Sequence, residues 1–342
     1  MSKIFFGKTK DNEDVFKYIL KNEFLEIGII NYGGIITEVL MGDKNNKKSN
    51  VVLGFDNIED YEKNTPYFGC ITGRNAGRIT KGLFNLNNIQ YKLDVNNGEN
   101  HLHGGVNGLN RRVWKAEQID NKLKLSYFSP HGEEGYPGNI NFEVTYTLID
   151  NELTIDYLGV TDRDTIINLT NHTYFNLSGD VSQRVLNHEL FINSDEYAEL
   201  DESSALTGKF ISVENTPLDF RTVKTIGRDI DKEFKDLILA NGYDHPFILN
   251  KDKKIEMLAK EYLTGRVLEI ETDQKVVVFY SGNYLGSEGV LSSGKESIRR
   301  GGFCLETQDL PNYINMDNWD KSIYTTEKPY MGKTIYRFKI EG

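Results

Sequence analysis

Cysteine is nearly absent from this chain, with only Cys70 and Cys304 among 342 residues. Two cysteines cannot build the cross-linked framework of a small secreted scaffold, and two free thiols in a reducing cytosol are expected. No apolar run approaches the ~18 residues of a membrane span. The opening Met1–Gly7 stretch has no long apolar core and meets charges at once, so no signal peptide is expected and the chain reads as cytoplasmic. Positive charge is also in short supply: 40 Lys and Arg face 51 Asp and Glu, a net charge of −11. Nucleic acid and anionic membranes both reward a basic face, so neither is an expected partner. The adjacent arginine pairs Arg111-Arg112 and Arg299-Arg300 are too short to change that. Seven prolines form no linker, and no repeat of fixed period divides the chain.

What is abundant favours strands. Glycine (31), tyrosine (19) and phenylalanine (18) are plentiful, isoleucine and valine are common, and alanine is scarce. Short apolar or alternating runs recur at Val15–Leu20, Phe24–Ile30, Ile35–Met41, Val113–Ile119, Leu123–Phe128, Ile140–Leu148, Leu153–Val160, Val267–Ile270, Lys275–Tyr280, Gly302–Glu306 and Thr334–Ile340. Asp120-Asn121 and Asp150-Asn151 are placed to turn hairpins. Helical signals are confined to Asp56–Lys63 and Asp231–Ala240, the second closing near Gly242. The pattern predicts one all-β domain over residues 1–342, an antiparallel β-sandwich of two large sheets packed face to face. Loops such as Glu196–Thr216 are expected to wrap its edges.

Five stretches carry groups capable of chemistry. Ile166, Ile167 and Leu169 read as a strand that delivers His172 among hydroxyl, amide and aromatic neighbours. A histidine can give or take a proton near neutrality, although one beside aromatics is commonly a hydrogen-bonded structural residue. Gly69–Thr80 carries Arg74 and Arg78 among glycines, each suited either to hydrogen-bonding hydroxyls or to tying down a loop through carbonyls. Asn100–Gly105 holds His101 and His103 at i and i+2, a spacing compatible with metal. No carboxylate follows before Glu117, so substrate contact is favoured over metal. Asp244 lies between a turn and an apolar run, as a turn-former or as a hydroxyl acceptor. Glu306 ends the apolar run Phe303–Leu305, where desolvation lifts a carboxyl above its ordinary ~4.3. One acid, one base-capable histidine and several hydrogen-bonding groups, with no nucleophile or cofactor loop, suit proton shuttling on a hydroxyl-rich substrate such as a sugar.

These motifs, in this order, resemble the galactose mutarotase (aldose 1-epimerase) family over almost the whole chain. The matching stretches are Gly33-Gly34, Pro66–Gly69, Gly73-Arg74, Gly77–Ile79, Asn100–Gly105, Gly135–Gly138, Thr170–Leu177, Gly242–His245 and Leu305–Asn312. The resemblance implies a β-supersandwich and a cofactor-free, metal-free isomerase acting on small aldohexoses, as a monomer or homodimer. It places the catalytic histidine on His172 and the catalytic glutamate on Glu306. Substrate-binding positions fall on Arg78, His103, Tyr174 and Asp244, while His101, Arg74 and His245 are left structural. Two departures bear on hexose preference: Gly77 stands where many members carry Asn, and Val278 where many carry Gln.

The implied mechanism has ionised Glu306 taking the proton of the anomeric hydroxyl while protonated His172 gives one to the ring oxygen, with a bell-shaped pH profile. Other readings are a hexose-6-phosphate mutarotase, which would need a basic cluster, and a non-catalytic sugar-binding protein on the same scaffold.

Overall fold

The structure, a computed structural model, describes residues 3–63 and 66–342; Met1 and Ser2 of the opening stretch lie outside the described residues. Strands dominate it, beside two short α-helices, Ile58–Lys63 and Lys235–Ala240. The second helix ends at Asn241, whose left-handed backbone turns its N–H back onto the carbonyls of Leu237 and Ile238.

The largest sheet has nine strands, in the order Lys115–Ile119, Lys122–Ser129, Ile140–Ile149, Glu152–Thr161, Tyr330–Ile340, Arg266–Thr272, Met257–Glu261, Glu189–Ile192, Lys224–Thr225. Every pairing in it is antiparallel. The tight Asp120-Asn121 and Asp150-Asn151 turns join four of these strands in two hairpins, as their residue types predict. A five-stranded sheet follows the order Leu206–Ser212, Ser194–Leu200, Asp244–Leu249, Val276–Tyr280, Cys304–Gln308. Another comprises Lys3–Lys8, Asp14–Lys21, Leu25–Ile30, Ile36–Met41 and Ser49–Asn50.

Period-two alternation sorts the side chains between faces. Tyr197, Phe247, Val277, Phe279 and Leu305 share a core with Leu268, Ile270, Tyr336 and Phe338 of the nine-stranded sheet. Leu25, Ile27, Val39 and Met41 of the amino-terminal sheet join the same core. The sandwich expected from sequence is therefore present, with a third sheet added to it.

Two expectations fail. Glu196–Thr216, read as a loop, is mostly a hairpin of Ser194–Leu200 and Leu206–Ser212. Its outward positions are acids, serines and threonines that disguise the alternation, while Tyr197, Leu200 and Leu206 point inward. Asp201 fixes the turn by accepting from the N–H groups of Ser203 and Ala205. Ile166–Leu169, read as a strand, is buried but forms only a single parallel bridge, Asn168 with Asn75; the two-residue strand Thr170–Asn171 that follows pairs with Ile71–Thr72.

Arg74 holds the loop beside that ribbon. It is 2% exposed, and its guanidinium donates to Ser129 Oγ and to the carbonyls of Ser129, Pro130, Pro137 and Gly138. Arg74→Met removes all five bonds and strands buried acceptors. A loss of roughly 3–5 kcal/mol in urea unfolding is expected.

Candidate active site

Register on the five-stranded sheet builds one wall of a cavity. Asp244 pairs with Tyr280 and Tyr280 with Cys304; Pro246 pairs with Val278 and Val278 with Glu306; Ile248 pairs with Val276 and Val276 with Gln308. These rows share the face turned away from the nine-stranded sheet. On the strand Cys304–Gln308 the even positions are therefore the cavity side, while Thr307 bonds Thr334 of the large sheet behind it.

His172 comes from the opposite direction. Its N–H donates to Cys70 O at 2.8 Å and its carbonyl accepts from Gly69 N–H at 2.9 Å. Asn171 Nδ2 donates to Gly69 O at 2.9 Å. Clamped in this way, the ring places Nε2 3.4 Å from Glu306 Oε1 and Nδ1 3.5 Å from Cys304 Sγ. Tyr174 and Tyr67 stack on it, with centroids at 5.1 and 5.9 Å. His103 meets it edge-on at 5.4 Å.

His103 is held by reciprocal bonds with Gly77. Its Nδ1 accepts from Gly77 N–H at 3.2 Å, and its own N–H donates to Gly77 O at 3.1 Å. A Cβ at residue 77 would lie 2.6 Å from Pro311 Cβ, and the backbone there is left-handed at φ 71°. Glycine suits this crowded position, which accounts for one of the two departures in this chain. Across the cavity, Arg78 Nε donates to Asn97 Oδ1 at 2.9 Å, which orients the guanidinium.

The cavity occupies about 360 Å³, and all six residues named from sequence line it: Arg78, His103, His172, Tyr174, Asp244 and Glu306. That volume falls within the range of small-molecule sites. Arg78 is the one Lys or Arg in its lining among the described residues, an unpromising setting for a phosphate group. Val278, the other departure, adds apolar wall beside Glu306.

Burial controls the charges. Glu306, 3% exposed, has its carboxyl pushed well above the ordinary range by burial and by the nearby Asp244 charge, with Arg78 pulling the other way. Burial likewise raises Asp244, again opposed by Arg78. His172 is pushed down to about 4 by burial, and burial drives His103 well below its usual range with help from His172 and Arg78. The upward shift of Glu306 agrees with the sequence reading. The low-dielectric cavity favours the neutral forms of both partners, which shifts the balance towards a proton on Glu306 and away from His172.

His103, His172 and Glu306 bring their ligand atoms within 4.8 Å of one another, a geometry that invites comparison with metal sites. The hydrogen bonds argue against that fit. A metal-bound histidine normally donates its second N–H to an acceptor. In His103 the Gly77 N–H already occupies Nδ1, so the neutral ring carries its proton on Nε2 and neither nitrogen offers a free lone pair. The same tautomer makes His103 Nε2–H a fixed donor towards the cavity.

The neighbours left structural bond to the chain around them. His101 Nδ1–H donates to Asp94 O at 2.6 Å, and its Nε2 accepts from Tyr136 at 2.7 Å. His245 Nδ1 accepts from Asp244 N–H. Cys70 and Cys304 are buried free thiols. Sequence reasoning did not single out Tyr67, Asn97, Cys304 or Gln308 as part of the site. Tyr67 and Gln308 lie in the Pro66–Gly69 and Leu305–Asn312 motifs, but their side-chain placement, like that of Asn97 and Cys304, comes only from register and loop packing.

Comparison with known proteins agrees with this geometry. The family profile described as aldose 1-epimerase matches residues 17–337. Galactose mutarotase of Bos taurus is 39% identical over 328 residues, 95% of this chain and 94% of that protein. Aldose 1-epimerase of Haemophilus influenzae is 36% identical over 295 residues, 84% of this chain and 85% of that protein. The crystal structure of galactose 1-epimerase from Lactobacillus acidophilus superposes with a TM-score of 0.87 at 28% identity, covering 100% of this chain and 99% of that one. An aldose epimerase homologue from C. elegans gives 0.89 at 27% identity, covering 95% and 99%. The chain belongs to the aldose 1-epimerase family.

Proposed function

We propose that this protein is an aldose 1-epimerase, interconverting the α and β anomers of free aldohexoses such as galactose and glucose by acid–base ring opening and reclosure. The observation that carries the reading is the His172–Glu306 pair, 3.4 Å apart at the wall of a sugar-sized cavity.

In the proposed cycle the sugar replaces the direct contact of the pair, with O1 at Glu306 and O5 at His172. Proton on Glu306 with neutral His172, and ionised Glu306 with protonated His172, are tautomers of one protonation state. Before the sugar separates the pair, the 3.4 Å contact lets the proton cross to His172, and the arriving hydroxyls with Arg78 then stabilise the carboxylate. Glu306 then takes the O1 proton, His172 delivers its proton to O5, the C1–O5 bond breaks and C1=O1 forms. Rotation about C1–C2 presents the other carbonyl face. The reverse transfers reclose the ring and restore the pair, so no cofactor is consumed. His103 Nε2–H, Arg78 and Asp244 hold the remaining hydroxyls so that this rotation is the main freedom left.

Polarimetry on freshly dissolved α-galactose and α-glucose tests the reading directly: the protein should accelerate the approach to equilibrium rotation, and failure on every free aldose would sink it. A substrate-binding role for Asp244 predicts that Asp244→Asn, losing a charged acceptor, lowers kcat/KM by about 10- to 100-fold, mostly through KM, since a hydrogen bond to a charged group contributes ~1.5–3 kcal/mol. Progress curves over a range of sugar concentrations separate the two parameters.

A further inference from the structure

We propose that Gln308 is a substrate-positioning residue of this site, gripping one sugar hydroxyl through its side-chain amide; the inference deepens the mutarotase reading and rests on it. Gln308 is completely buried and lines the cavity. Neither its amide oxygen nor its nitrogen has a hydrogen-bond partner among the described residues. An unpaired buried amide costs about 1–3 kcal/mol for each orphaned group, and here both ends are orphaned.

The surroundings offer no structural explanation for it. Its row across the sheet is Ile248, Val276 and Gln308, two aliphatic side chains that cannot bond to it. Leu206 and Pro311 line the same cavity and are equally unable to do so. A leucine or methionine would fill this place without penalty if packing were the requirement.

Its position does suit a ligand. Gln308 shares the cavity face with Glu306 and lies two residues along the strand, ~6.6–6.8 Å away along the backbone. A pyranose with its anomeric hydroxyl at Glu306 extends over that distance. The terminal torsion of glutamine is soft and roughly two-fold, so a small rotation turns the amide towards an arriving hydroxyl. That hydroxyl can accept from the amide N–H and donate to the amide oxygen, satisfying both orphaned groups at once. Asp244 and Gln308 then hold the sugar at the first and third rows of the wall, with Glu306 in the row between.

The test replaces Gln308 by methionine, close in shape and without the amide. Turnover is measured on galactose and glucose, and on their 2-, 3-, 4- and 6-deoxy analogues. The expected kcat/KM on the parent sugar falls 10- to 100-fold, chiefly through KM, with the limbs of the pH profile in place and the melting temperature equal or higher. For one deoxy position the discrimination shown by the wild type should vanish in the variant, identifying the hydroxyl. Parent-sugar turnover within twofold of wild type overturns the inference, as does deoxy discrimination that persists at every position. A displaced pH limb would mean that Gln308 acts through Glu306, and a lowered melting temperature would mean a structural role; either also overturns it. Absence of wild-type turnover on any free aldose would instead remove the mutarotase reading beneath it.

Discussion

Glu306→Gln is expected to lower kcat/KM on free aldohexoses by about 10²–10⁴-fold, the range supplied by a positioned proton-transfer group, without loss of the fold. Glutamine has nearly the same shape, and it mimics the protonated carboxyl that burial favours at this site. The stability effect has a definite sign. A carboxyl whose folded pKa is raised binds more protons folded than unfolded near neutrality, so its contribution to stability is lost as pH rises. Removing it should leave the melting temperature at pH 7 unchanged or higher. A dead but equally stable variant separates catalysis from folding, and turnover within tenfold of wild type would falsify the assignment. His172→Asn should be equally inactive. The double variant should be little worse than either single one, because groups that act as a unit are not additive.

The pH profile of kcat/KM follows from the same pair. Activity requires one shared proton. A second proton enters when His172 titrates, pushed down to about 4, and the shared proton leaves when Glu306 ionises, well above the usual carboxyl range. The bell expected from sequence remains, but its limbs change owner: the acid limb belongs to His172 near pH 4 and the basic limb to Glu306, whereas an ionised carboxylate beside a protonated ordinary histidine would put the basic limb near ~6.5.

Legibility in the sequence follows how local each cause is. Strand positions such as Ile140–Ile149 and Glu152–Thr161 were readable because alternation is written into neighbouring residues. So were the tight turns between them. The hairpin Ser194–Leu200 and Leu206–Ser212 was not, because its solvated face carries the residue types of a loop and its pairing depends on Asp244–Leu249 alongside. Glu306 could be suspected from its place at the end of an apolar run. Gln308 could not, since its orphaned amide exists only once Ile248 and Val276 are aligned beside it. Arg266 was invisible for a similar reason. Its guanidinium reaches the carbonyls of Gly42, Leu177, Ser178 and Lys47, and no local pattern announces bonds across such separations. The depression of His172 by burial was not legible, because an isolated motif carries no information about the dielectric around it.

Burial of histidine also predicts a steep loss of stability in mild acid. Of the six histidines, His101, His172, His188 and His245 are each pushed down to about 4 by burial, and His103 is pushed well below its usual range. In the unfolded chain all five take up protons as pH falls through ~6.5; in the folded chain they remain neutral until pH is near 4 or lower. The unfolded state therefore binds more protons across that window, and stability falls as pH falls. Glu306 and Asp244 are raised and act in the opposite direction, retaining protons in the folded state that the unfolded chain has released. Burial raises Glu134 as well, and five against three leaves a net difference of roughly two protons near pH 5, or of order 3 kcal/mol per pH unit. Against a total of ~5–15 kcal/mol for an ordinary domain, a large part of the stability should be lost between about pH 6 and 4, with titration of ordinary carboxylates joining in below about pH 5. Urea midpoints measured at intervals from pH 7 to 4.5 give the proton count as a slope. Replacing His188, whose Nε2 accepts from Leu177 N–H, by asparagine should reduce that slope by about one proton while costing stability at pH 7. A slope below one proton in the wild type would show that these rings do not remain neutral in the folded chain, and the same neutrality underlies the shift of the shared proton towards Glu306.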